Sequence, residues 1–260
     1  MKPIYEPKGK AKEYGDYAIN IYTGCPHKCY YCFAPSVLRR DRENFHNHIV
    51  PRQNIVEETA KQIEQEHITG KLIHLCFTCD PYPVGHDNSP TREIIKLLKN
   101  TGNHVQILTK NGADAIRDFD LLDENDWFGI TYAGYFGYAS DPNFIPEEEP
   151  NAGAPYDRLR ALEIAHKKGI KTWVSAEPVL NACDVLDLIE CADYVTLWKV
   201  GKLNYHPSTV DWKRFGEQVE QKLIMKKSGN PNVDYYIKDS LRAEMDRPNN
   251  KQGGPNENQL

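Results

Sequence analysis

The chain has 260 residues, 40% of them hydrophobic and 27% charged, with a formal net charge of −5. Those values suit one large α/β domain or two small ones and exclude a fibrous or wholly disordered chain. No apolar run approaches the roughly 20 residues that cross a bilayer, and the acidic balance argues against a general affinity for polyanions, which rests on many Lys and Arg contacts to phosphate.

Residues 1–17 (MKPIYEPKGKAKEYGDY) carry charge without the apolar stretch of a secretory signal, so the expected compartment is the cytoplasm, with no membrane association. The first β-type run covers residues 18–22 (AINIY). An amphipathic helix is predicted over 54–67, with Val56, Ala60 and Ile63 on one face. The second run is 72–77 (LIHLCF). Ser89 as N-cap, with Pro90 at the first helical position, opens the next helix, which Gly102 closes. Runs three and four are 104–109 (HVQILT) and 127–132 (WFGITY). Between 133 and 154 the chain is rich in Gly, Pro, Tyr and acids and reads as a long loop. A helix over 155–168 carries Leu159, Leu162 and Ala165 inward, and Gly169 ends it. Run five is 171–175 (KTWVS). Cys183 and Cys191 flank a short helix and read as core. Run six is 194–198 (YVTLW).

Beyond it a helix is predicted over about 211–226, then the short run VDYYI and a last helix near 239–245. The polar Gly-, Pro- and Asn-rich tail, 247–260, reads as disordered. Strands alternating with helices argue for a parallel sheet with helices outside it. Six such strands fit a partial (β/α)6 TIM-like barrel better than a closed eight-stranded one, and periodicity alone does not separate that barrel from an open doubly wound sheet. The expected division is an N-terminal extension (1–17), a core (18–204), a C-terminal α/β extension (205–246) and the tail.

Chemistry concentrates directly after the first run, in GCPHKCYYC. Seven cysteines in a chain without an export signal point to reduced thiols, and the odd number argues against a disulfide framework. Cys25, Cys29 and Cys32 fall within eight residues, close enough to converge on one inorganic core. Thiolates are the usual holders of iron–sulfur clusters, and a fourth cysteine normally completes the set. Three ligands leave one iron of a [4Fe–4S] cluster open to a non-protein ligand. Zinc held with His27 is the rival reading, although structural zinc sites usually pair two knuckles. A redox pair of Cys29 and Cys32 would leave Cys25 unexplained. The alternative to an enzyme is a non-catalytic module, stabilised by zinc or by an iron–sulfur cluster, that binds nucleic acid.

With these cysteines the chain resembles the radical S-adenosylmethionine (SAM) superfamily. It is most similar to the branch of spore photoproduct lyase-like proteins, sometimes labelled DNA repair photolyases. The likeness runs in order through NIYTGCPHKCYYC, TCDPYPVG, TREIIKLLK, ILTKNG, RLRALEIAHKKGIKTWVSAEPV and DYVTLWKVGKLN. It implies a partial barrel on which SAM chelates the open iron and is reductively cleaved to methionine and a 5′-deoxyadenosyl radical, which abstracts hydrogen from a substrate. An electron donor such as flavodoxin or ferredoxin is implied as a partner.

Position by position, the resemblance implies that Lys110 lies near the SAM carboxylate and that Thr131 faces the cofactor. Thr78 and Asp80 would line the site, Tyr31 would lie near the adenine, and Glu177 would bind ribose hydroxyls or the SAM amino group. All follow strand ends, where barrels build their sites. Cys79 or Cys76 would be a catalytic hydrogen donor. Phe33 stands where the lyases carry a tyrosine. Arg39, Arg40 and Arg42 read as a solvated face or a contact to an acidic group, and Lys199, Lys202 and Asn204 are expected near the barrel mouth. The substrate stays open, with a nucleic-acid lesion or base among the candidates.

Overall fold

The computed structural model describes residues 2–138 and 140–247; most of the predicted tail therefore lies outside the described residues. One sheet of eight strands organises the chain, with its strands side by side in sequence order. They are β1 (Ile4–Tyr5), β2 (Tyr17–Ile19), β3 (Leu72–Leu75), β4 (His104–Thr109), β5 (Trp127–Thr131), β6 (Lys171–Ala176), β7 (Leu197–Val200) and β8 (Asp234–Ile237). β1 runs antiparallel to β2, and every later pair is parallel. The six predicted runs are β2–β7. Strands β1 and β8 add one edge each, and β8 pairs directly with β7 through Lys199 and Tyr236. The C-terminal segment thus continues the sheet of a partial TIM-like barrel.

Helices α1 (Ala34–Val37) and α2 (Arg42–Asn47) follow β2, and α3 (Ile55–Glu66) returns the chain to β3. Helix α4 (Ser89–Asn100) precedes β4, α5 (Gly112–Ala115) follows it, and α6 (Pro155–Lys167), α7 (Ala182–Cys191), α8 (Trp212–Gly229) and α9 (Asp239–Met245) complete the layer. The N-cap of α4 is Asn88, one residue earlier than predicted, because Ser89 turns its hydroxyl back to Asp87 at 2.8 Å. Cys183 and Cys191 are exposed on α7 rather than core, since Val185, Leu188 and Ile189 form its buried face.

Alternation along the strands sorts two kinds of side chain. Ile73, Leu75, Val105, Ile107, Phe128, Ile130, Val174, Trp198 and Val200 join the apolar core with Ile63, Ile94, Leu98, Leu162 and Val219 of the helices. Each such side chain contributes about 1.5–3 kcal/mol when fully buried. The opposite face carries His74, Gln106, Gly129, Trp173, Ser175 and Lys199. His74 Nδ1 lies 3.0 Å from Gln106 Oε1, and the Trp173 indole donates to the Ile107 carbonyl at 2.9 Å. Glycine is required at 129, where a Cβ would come within 2.2 Å of that indole. Tyr14, just after a 3-10 turn (Gly9–Glu13), plugs this polar interior against His74, Phe77 and Trp173. No described helix is long and apolar enough to cross a membrane.

Candidate functional site

Parallel pairing puts the C-terminal ends of β2–β6 at one rim, and the loops there carry most of the chemistry anticipated from the sequence. The loop after β2 holds the three cysteines: Cys29 is buried, and Cys25 and Cys32 are half-buried. Its shape has local causes. At Gly24 a Cβ would lie 2.4 Å from the Phe45 carbonyl oxygen and 2.6 Å from that of His48, so only glycine lets the loop seat against α2. Lys28 takes the left-handed conformation (φ 55°), and the Cys32 amide donates to the Cys29 carbonyl at 3.0 Å, closing a turn between two of the thiols.

The donor set itself suits an iron–sulfur cluster, since three thiols share one short loop and thiolates are the usual ligands of such clusters. Among the described residues, the one trio of potential ligand atoms all within 4.8 Å of one another is His104, Asp123 and Asp126. That acidic trio is bridged by Lys99, at 2.7 Å from Asp123 and 2.5 Å from Asp126. His27, the rival zinc ligand, has a partner at each ring nitrogen. Its Nδ1 faces Asp80 at 3.6 Å, and its Nε2 accepts the Val84 amide at 3.5 Å. Burial, with help from Lys110 and Arg158, pushes His27 down to about 3, so it is neutral.

Asp80 is the hub below this loop. Its carboxylate accepts the Thr109 hydroxyl at 2.6 Å and the amides of Lys110 and Tyr82, each at 2.9 Å. With its oxygens so engaged, it fixes the backbone from which Lys110 rises. The Lys110 ammonium lies over the Tyr31 ring, 5.5 Å from its centroid. Burial alone would lower this amine, but Cys29 and Glu149 outweigh it and hold the group above its ordinary range. Beneath Tyr31 sits a pair that sequence reasoning missed. Glu149 and Arg158, both fully buried, meet at 2.6 Å. The Tyr31 hydroxyl donates to Glu149, and Arg158 donates to the carbonyls of Thr131 at 3.2 Å and Gly153 at 2.9 Å. Burial opposes ionisation of Glu149, yet Arg158 and Lys110 hold its carboxyl below the usual range. Glu149 lies in the unpatterned 133–154 loop, where no periodicity could single it out.

The sequence-derived set therefore divides. Cys25, Cys29, Cys32, Tyr31, Asp80, Lys110 and the Thr131 backbone meet around one centre. Thr78 lies at the same rim, with a buried hydroxyl that has no hydrogen-bond partner among the described residues, an orphan suited to a bound ligand. Glu177 belongs instead to the polar interior, where it accepts from Tyr14 at 3.1 Å and pairs with Lys238 at 2.6 Å. Lys199 is also interior, donating to the Glu13 carbonyl at 2.7 Å; burial and nearby Lys238 push it down to about 8. Cys76, in the left-handed region (φ 69°), lies in the apolar core with Cys79 packed against it. Arg42 is exposed and Arg40 half-buried, yet both bind loop carbonyls, those of Cys29, Tyr30 and Cys32 and that of Thr23 respectively.

A cavity of about 380 Å³ opens beside the cysteine loop, lined by Tyr30, Glu148, Leu180, Leu203, Pro207, Ser208 and Thr209. A second, of about 470 Å³, lies at the opposite end, where Tyr17 and Leu72 begin their strands, remote from this chemistry.

A family model described as the radical SAM superfamily matches residues 19–180. An uncharacterized protein of Methanocaldococcus jannaschii is 28% identical over 176 residues, covering 66% of this chain and 62% of that protein. One of Mycobacterium tuberculosis is 26% identical over 169 residues, covering 63% of this chain and 49% of its own length. The chain thus spans less than two thirds of either relative. Among solved structures, spore photoproduct lyase complexed with dinucleoside spore photoproduct superposes with a TM-score of 0.65 at 14% identity, over 90% of this chain and 80% of that one. SuiB of Streptococcus suis, bound to S-adenosylmethionine, gives 0.59 at 10% identity, over 85% and 50%. At these identities the likeness is one of fold.

Proposed function

The chain belongs to the radical SAM superfamily, an enzyme family of SAM-dependent radical chemistry, and from that premise we propose that Cys25, Cys29 and Cys32 hold a [4Fe–4S] cluster whose fourth iron takes SAM. The observation that carries this reading is the loop itself: three thiols on one glycine-seated turn beside the half-buried Lys110. When bound, cluster and SAM together supply a 5′-deoxyadenosyl radical, and cofactors of this kind carry the difficult chemistry while the protein binds, orients and shields.

Each nearby residue then has a task. Lys110 makes no ion pair within 4.0 Å among the described residues, and its ammonium is the group for the SAM carboxylate. The free Thr78 hydroxyl offers a further hydrogen bond. The Glu149–Arg158 pair holds Tyr31 in place through its hydroxyl, so that the ring forms an aromatic wall for the adenine. Asp80 keeps Lys110 aimed at the centre. Flavodoxin or ferredoxin is the proposed electron donor.

The 380 Å³ cavity beside Tyr30, a volume within the range of small-ligand pockets, is the proposed substrate site. Tyr30, edge-on to His206 at 5.0 Å, offers an aromatic face, while Glu148 with Ser208 and Thr209 offers acceptors. That combination suits a planar ring bearing N–H donors, as a nucleobase is, in a short or single-stranded context. The test is anaerobic reconstitution. The wild type should bind about four irons and take on charge-transfer colour, and Cys29→Ala should lose both. A zinc-loaded, colourless wild type would overturn the assignment.

A further inference from the structure

Helix α2 touches the cysteine loop in a way the cluster assignment does not explain. Arg42 and His46 are four residues apart and so share one face of the helix. His46 is buried, and its Nδ1 lies 2.8 Å from the Cys25 carbonyl oxygen; a carbonyl only accepts, so Nδ1 carries the proton. Arg42 Nη1 donates to the Cys32 carbonyl at 3.1 Å, and Nη2 donates to the carbonyls of Tyr30, at 2.8 Å, and Cys29. One short helix thus holds a carbonyl from each of the three cysteines. The N-cap Asp41, accepting the Asn44 amide at 2.8 Å, fixes the turn that presents Arg42.

We propose that α2 is a clamp for the cluster loop, with Arg42 as a positioning residue that also sets how easily the cluster is reduced. The inference rests on the reading of Cys25, Cys29 and Cys32 as the ligands. Two physical consequences follow. A planar guanidinium presents five donors in a rigid fork and can bind several carbonyls at once, which a lysine ammonium cannot do in the same geometry. Reduction adds a negative charge to the cluster, and cluster potentials respond to net charge and hydrogen bonding nearby. A fixed cation on the loop makes that electron less costly, so the potential is more positive than it would be without Arg42. Arg39, three residues earlier and exposed as Arg42 is, carries the same charge and makes none of these loop contacts.

The experiment compares Arg42→Gln, Arg42→Lys and Arg39→Gln with wild type after anaerobic reconstitution. Iron content, iron loss to a chelator and an EPR-monitored redox titration are measured, with circular dichroism as the check on folding. Arg42→Gln should lose iron about tenfold faster, equivalent to about 1.4 kcal/mol of barrier, and its midpoint potential should shift negative. Arg42→Lys should also lose iron faster while keeping its potential closer to wild type, and Arg39→Gln should match wild type in both. If Arg42→Gln does not fold, Arg42→Lys decides: wild-type iron loss there overturns the clamp. So does an unshifted Arg42→Gln, or an Arg39→Gln that shifts as far. Wild-type protein that holds no cluster at all would instead refute the ligand assignment, leaving the two failures distinguishable.

Discussion

Removing one partner of the Glu149–Arg158 pair should cost far more stability than removing both. The two groups meet at 2.6 Å with no exposed side-chain surface on either. Breaking a buried pair typically costs about 3–5 kcal/mol, because the remaining charge stays desolvated, whereas apolar replacement of both is often close to neutral. Glu149→Leu leaves Arg158 its carbonyl contacts to Gly153 and Thr131, so the lower end, about 3 kcal/mol, applies. Arg158→Met strands a carboxylate whose remaining help is the Tyr31 hydroxyl and the nearby Lys110, and about 4 kcal/mol is expected on the same scale. Glu149→Leu with Arg158→Met should fall well below the sum, a coupling of at least about 2 kcal/mol. Urea titration of the four proteins at pH 7, followed by circular dichroism, measures the cycle. Single substitutions costing under about 1 kcal/mol each, or strict additivity, would refute the pair's assigned part in fixing Tyr31 against the 133–154 loop.

Gly24→Ala forces a Cβ to within 2.4 Å of the Phe45 carbonyl oxygen, so the loop must lift off α2; about 1–3 kcal/mol of stability is lost, with a matching fall in reconstituted iron. Wild-type iron content in this variant would contradict the seating. His74 is held neutral in the fold, pushed down to about 3 mainly by burial and also by Lys199 and Lys238. Its ordinary value lies near 6.5, so the unfolded chain binds the extra proton first, and stability present above that value is lost as pH falls. Between pH 7 and 5 the linkage amounts to about 2 kcal/mol, which His74→Gln should remove from the urea-derived pH profile. Parallel profiles for the two proteins would contradict it.

Much of the architecture was legible because period-two runs and helix signals are local. All six predicted parallel strands are present, and α6, α8 and α9 fall within a few residues of expectation. Strand β1 was not legible: two residues pairing antiparallel with β2 leave no periodicity to read. The cysteine loop was legible because its spacing is chemistry in itself. Its supports were not. Arg42 and Arg40 sit in a charge-rich stretch that reads as solvent-facing; Arg42 is indeed exposed, and only the three-dimensional return of this segment onto the loop sets both guanidinium groups on loop carbonyls. Glu149 and Arg158 are nine residues apart across a loop and a helix start, a separation no pattern flags. Glu177 and Lys199 followed the strand-end rule yet lie in the interior, because Tyr14 from the N-terminal segment enters the barrel and gathers them around its ring and hydroxyl.

The central claim is that a cluster on Cys25, Cys29 and Cys32 leaves an iron for SAM, and the most direct measurement is SAM cleavage by the reduced, reconstituted protein. Incubation with dithionite and SAM, followed by chromatographic detection of 5′-deoxyadenosine, should show product from wild type and none from Cys25→Ala, Cys29→Ala or Cys32→Ala. Wild-type levels of 5′-deoxyadenosine from any of those three variants would contradict the account.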